Sequence, residues 1–166
     1  MTARPCLRWP NPVLRRAAAP VGVITDTIRR IWDDMIDTME AMPGYGLAAP
    51  QIGIALRLAV VDCSTGRGQP VRMADPVLLE ASPDTFRQLE ASPNLPGVHA
   101  ELDRPARVRV AFLNQEGVRE ERAFQDLWAT SVQHQMDHLE GKMFFDRLGP
   151  MKRRMLIAKA QKQARA

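Results

Sequence analysis

Residues 131–141 read SVQHQMDHLEG, and the reading of the whole chain turns on whether they lie on a helix. On a helix His134 and His138, four apart, stack on one face, which is how a helix offers two imidazoles to one metal ion. Where an HExxH site carries its glutamate, this chain has Gln135. The apolar positions Leu127, Val132, Met136 and Leu139 extend the helical pattern, so a helix over about 126–139 is predicted. Asp137 lies between the histidines, points away from their face and is read as structural. An HxxxH pair alone does not separate a metal site from a helix that happens to carry two histidines.

Working outward, Thr25 is a suitable N-cap for a helix to about residue 42, because Ile28, Ile31, Trp32, Met35, Ile36 and Met39 recur at helical spacing. Asp33, Asp34, Asp37 and Glu40 occupy its other face. The glycine-rich MPGYGLAAPQIG then leads into IALRLAVVDC, which reads as a strand. Further strands are predicted over 71–79 and 106–113, and a last amphipathic helix over about 150–163 follows Pro150. This order suggests an α+β fold with mostly antiparallel pairing.

A chain of 166 residues fits one domain, 1–166, with a substantial core. Apolar residues at 45% and charged residues at 25% place it among ordinary globular proteins rather than disordered ones. The start, MTARPCLRWPNP, has Arg4, Pro5 and Arg8 where a signal peptide needs an apolar run, and no stretch has the length of a membrane span. The cytoplasm is the expected compartment, with neither membrane nor DNA as partner. Cys6 and Cys63, far apart and without a CxxC partner, are expected as free thiols. The net charge is +4, and PMKRRMLIAKAQKQARA carries six Lys or Arg and no acid, so contact of this segment with an RNA-rich or acidic partner is open beside a purely solubilising role.

Three stretches in order decide between the readings: GYGLAAPQIG, then EASPNLPG at 90–97 about forty residues on, then QHQMDHLEG after a similar interval. In this order and spacing the chain resembles the peptide deformylase family, over nearly its whole length from RWPNPVLRRAAAPV to the basic C-terminal segment. The resemblance implies a deformylase-like fold: mostly antiparallel sheets around a central helix carrying HxxxH, plus a C-terminal helix. It implies removal of the formyl group from N-terminal methionine, by a divalent metal held by one cysteine and two histidines. The family motifs run approximately GxGLAAxQ, EGCLS and QHExDHLxG.

Carried over by position, Gln51 matches the oxyanion-binding glutamine, and His134 and His138 match the histidine ligands. Gly44, Tyr45, Gly46, Glu90 and Pro93 fall at substrate-binding positions. Three positions depart. Ser92 stands at the cysteine ligand, Pro93 at the leucine whose N–H binds the oxyanion, and Gln135 at the catalytic glutamate; Asn94 takes the place of the serine. A hydroxyl, neutral near pH 7, is a poor substitute for a thiolate at a borderline metal. An amide has no basic lone pair, and losing a positioned general base costs about 10²- to 10⁴-fold. Proline has no N–H, and one oxyanion donor is worth about 10²- to 10³-fold. Thr130 and Ser131 are small and polar where a methionine pocket favours aliphatic side chains. His99, Cys6 and Cys63 are not expected to supply the missing ligand.

Three readings follow. One is a deformylase scaffold with hydrolysis absent or strongly reduced. Another is an active metal-dependent deformylase with an unusual ligand set, holding Fe, Zn or Ni if the site is retained. The third is a protein that binds peptides, nascent chains or the ribosome, the last through its basic C-terminal helix, without catalysis.

Overall fold

The computed structural model describes residues 2–165; the expected domain, 1–166, includes Met1 and Ala166, which lie outside the described residues. Helix α1, Asp26–Ala41, begins where Thr25 Oγ1 accepts the Ile28 N–H, so the expected cap forms. It buries Ile28, Trp32, Met35 and Met39. Strands β1 (Gly46–Ala48), β2 (Leu58–Val61), β3 (Val71–Ala81), β6 (Arg107–Leu113) and β7 (Arg119–Gln125) form one sheet in the order β1-β2-β3-β6-β7. Strands β4 (Thr85–Glu90) and β5 (Ala100–Pro105) form a separate hairpin. Every pairing between these strands is antiparallel, as expected for the α+β class.

Side chains alternate across a strand, and here both faces of the large sheet are covered. Leu58, Val60 and Ala74 face α1 in one core, while Ala59, Val61, Val71 and Met73 face a second core with Ala129 and Val132 of α2. That is why β2 is an unbroken apolar run, buried at all its positions. Helix α2, Asp126–Leu139, has the predicted bounds and lies between the large sheet and the hairpin. Val132 and Leu139 are buried, while Leu127 and Met136 are partly exposed. Helix α3, Pro150–Ala164, packs Leu156, Ile157 and Ala160 into a third cluster with Phe144, Phe145 and Leu102.

The strand expected over 54–63 is shorter than its apolar run. The N-terminal segment takes the first half instead: Ala19 bridges Leu56, and Arg57 N–H donates to the Ala19 carbonyl at 2.9 Å. Gly53, at φ 87, makes the turn into it. Strands β1, β4, β5 and β7 are additions to the sequence reading.

Candidate active site

Helix α2 carries His134, Gln135 and His138 into the interior; they are 8%, 5% and 1% exposed. The two imidazole centroids stand 5.0 Å apart, as the spacing requires. Their orientation is set by the β4–β5 hairpin. Glu90, at the end of β4, places Oε1 2.8 Å from His134 Nδ1. Arg104 of β5 forks onto Glu90, with Nε to Oε2 at 2.6 Å and Nη2 to Oε1 at 2.9 Å, and its Nη1 donates to Asp137 Oδ2 at 2.9 Å. Arg147 closes the chain with two bonds of 2.8 Å to Asp137.

Burial pushes both Glu90 and Asp137 toward the neutral form. His134 and Arg104 around Glu90, and Arg147 and Arg104 around Asp137, outweigh it and hold both carboxyls below their ordinary values. An ionised Glu90 is an acceptor only, so His134 donates from Nδ1 and keeps its lone pair on Nε2. Burial and the neighbouring His134 lower the His138 pKa well below the ordinary histidine value, so that ring is neutral near pH 7. Both its ring nitrogens are buried without a protein partner.

The opposite wall comes from the turn at Ala49–Ile52 and the loop after β4. Gln51 is 1% exposed; its Oε1 accepts the Ala48 N–H at 2.8 Å and its Nε2 donates to Asn94 Oδ1 at 2.8 Å. Asn94 Nδ2 donates to the carbonyls of Leu7 at 2.6 Å and Gln51 at 3.1 Å. Ser92 Oγ donates to Asn94 Oδ1 at 3.1 Å and accepts the Asn94 N–H at 3.2 Å. Asn94 therefore ties the loop, the Gln51 turn and the N-terminal segment together.

Between these walls runs a cleft of about 440 Å³, lined by Gly44, Tyr45, Gly46, Gln51, Glu90, Ser92, Pro93, His134 and Gln135. Those predicted positions come together; His138 lies just behind them in the interior. Gly46 is required by close approach, since a Cβ there would meet Gln135 Nε2 and Ser131 Oγ at 2.6 Å each. Thr130 and Ser131 line the cleft as well. His99 is exposed, just before β5. Cys63 follows β2, and burial and the adjacent Asp62 push its thiol up to about 12, so it offers no thiolate near neutral pH. Sequence reasoning missed Arg104, the link between Glu90 and α2; in DRPARVRV one arginine among three carries no mark of burial.

The metal that such a scaffold implies can be tested against these atoms. His138, neutral and without a protein partner, and His134, fixed through Nδ1, fit as imidazole donors. Ser92 does not fit as the third: its hydroxyl is engaged with Asn94 in both directions and carries no charge. Among the described residues no three His, Cys, Asp or Glu side chains are grouped to hold an ion. The donor set is that of two imidazoles, not of a complete three-ligand centre.

A helix with paired imidazoles, set between antiparallel sheets beside a peptide-sized cleft, is the scaffold of a metal-dependent hydrolase. The polypeptide deformylase family model matches residues 3–154, and the chain belongs to that family. It is 40% identical over 168 residues to the peptide deformylase of Phenylobacterium zucineum (strain HLK1), covering 100% of this chain and 99% of that one. The peptide deformylase of Acinetobacter baumannii (strain SDF) is 38% identical over 165 residues, covering 99% and 94%. The crystal structure of peptide deformylase from Ehrlichia chaffeensis in complex with actinonin superposes with a TM-score of 0.93 at 29% identity, covering 100% of both chains. The peptide deformylase from Legionella pneumophila gives 0.91 at 34% identity, covering 98% of this chain and 96% of that one.

Proposed function

We propose that this chain binds the formylated N-terminus of methionyl peptides or nascent chains in the cleft between α2 and the 91–97 loop, and that formyl hydrolysis there is absent or strongly reduced. The observation that carries this reading is the engagement of Ser92 by Asn94, where a metal-binding thiolate would be needed. Two further groups point the same way. Gln135 cannot take and return a proton, a loss of about 10²- to 10⁴-fold. Pro93 removes a backbone donor, a loss of about 10²- to 10³-fold. Such losses within one catalytic unit do not multiply, but each is large.

A second reading, an active metal-dependent deformylase with an unusual ligand set, has its own support. The relatives at 38–40% identity are named peptide deformylase without qualification, and His138 has two buried nitrogens without partners. In that case Fe, Zn or Ni would be held by His134 and His138 with a third donor other than a thiolate, and would supply an activated water.

Metal content and turnover of N-formyl-Met-Ala-Ser on one preparation separate the two. Our reading expects less than one tightly held ion per chain and turnover far below about 1 per second, the low end for enzymes. A full equivalent of metal with turnover in the usual range removes it.

The same proposal takes the chain as one domain working in the cytoplasm; no described helix is long and apolar enough to cross a membrane. Ribosome contact through α3 is part of it, supported by six Lys or Arg and by Met151 and Met155, 67% and 66% exposed. Co-sedimentation with ribosomes at physiological salt tests it.

A further inference from the structure

The wall that α2 gives the cleft is not apolar. Met42, Pro43 and Leu127 supply carbon, but Thr130, Ser131 and Gln135 come from adjacent turns of α2, and Gln88 joins them from β4. Thr130, Ser131 and Gln135 are 5%, 6% and 5% exposed, so these are built-in groups and not rim residues. Ser131 is already engaged, donating to the Tyr45 carbonyl at 3.0 Å. Gln135 is not: its Oε1 is buried and accepts from nothing among the described residues. It has no room to withdraw toward β1, because the Gly46 backbone lies against its amide so closely that even a methyl group would not fit.

We propose that the cleft selects ligands whose N-terminal residue has an uncharged, hydrogen-bonding side chain, such as glutamine or asparagine, over methionine. This deepens the function proposed above and rests on it. A buried acceptor stays unsatisfied until a ligand brings a donor, and a primary amide brings one where a thioether cannot. The same amide has an acceptor oxygen to offer the hydroxyl wall. Charged side chains are disfavoured. Glu90 and Asp137 are already matched by Arg104 and Arg147, so no free charge is left to compensate a buried ammonium or carboxylate.

The test uses the full chain and three peptides, N-formyl-Gln-Ala-Ser, N-formyl-norleucyl-Ala-Ser and N-formyl-Met-Ala-Ser, with Kd measured by calorimetry. Glutamine and norleucine have similar length, so the comparison isolates the polar group. The glutamine peptide is expected to bind tighter than the other two by on the order of tenfold. Replacing the wall hydroxyl in Thr130→Val, close in shape, is expected to narrow that gap. Equal or tighter binding of the norleucine or methionine peptide overturns the selectivity while leaving formyl-peptide binding intact. Failure of all three to bind overturns both.

Discussion

On one side of the cleft, α2 is held by charges: Arg147, Asp137, Arg104, Glu90 and His134 form one chain of hydrogen bonds from the surface to the imidazole. On the other, residues 92–94 and Gln51 are held by neutral groups, with the Asn94 amide at the centre. The charged side keeps both histidines of the family pattern and exchanges only Gln135. The neutral side keeps Gln51 but replaces the thiol, the backbone donor and the serine together. A residue whose hydrogen bonds cross three segments can hold a loop in place without any help from a metal. Asn94 does this, so the loop retains a defined shape after its ligand chemistry has gone.

The sharpest way to break the comparison is to remove Arg104, which is 1% exposed. Arg104→Met leaves Glu90 and Asp137 buried with one fewer cation, and a loss of about 3–5 kcal/mol of unfolding free energy is expected. Urea denaturation measures it. Asn94→Ala should cost less, about 1–3 kcal/mol, because the groups it leaves unpaired, the Leu7 carbonyl and the Gln51 amide, are neutral. Equal costs for the two substitutions would erase the distinction between the two sides.

Much of the charged side was legible in the sequence, and little of what stabilises either side was. Helix α2 announced itself through its period and its two histidines, and α1 through Thr25. The β4–β5 hairpin did not. TFRQLE and AELDRP alternate poorly by hydrophobicity, and the residue that β5 sends inward is an arginine, the type least expected there. Strand β7, REERAFQ, buries only Phe124. The register of Ser92, Pro93 and Asn94 could be read from Pro96-Gly97, and with it the loss of the thiolate. Asn94 as a tether could not, because its partners Leu7 and Gln51 are distant in the chain.

Acid gives a finer separation. Glu90 and Asp137 have folded pKa values below their unfolded ones, so their contribution to stability is complete above about pH 4.5 and is lost as pH falls through the folded values. Stability should therefore change little from these two groups between pH 6 and 8 and fall below about pH 4. The deficit of Arg104→Met should shrink over that acid range, as the uncompensated carboxyls take up protons. That of Asn94→Ala should stay nearly constant, since nothing in its network titrates there. Denaturant midpoints of the three proteins from pH 7 to pH 3 measure this. A deficit of Asn94→Ala that varies with pH as much as that of Arg104→Met would mean the two networks are electrostatically coupled.

The smallest expected effect concerns Cys63, and it tests whether the charged side has acquired a thiolate of its own. Cys63 is the thiol beside Ser131 of α2, and a thiolate there would weaken the contrast by supplying anionic sulfur from another strand. Burial and Asp62 oppose that, and a pKa of about 12 leaves roughly one thiolate in ten thousand at pH 8. Alkylation of the native protein by iodoacetamide at pH 8 should therefore be far slower at Cys63 than in the urea-unfolded chain, with the rate read by mass spectrometry of the peptide that carries it. Rapid modification of Cys63 in the folded protein would show a lowered thiol pKa, and would reopen a sulfur-ligand role that the geometry of Ser92 and Asn94 argues against.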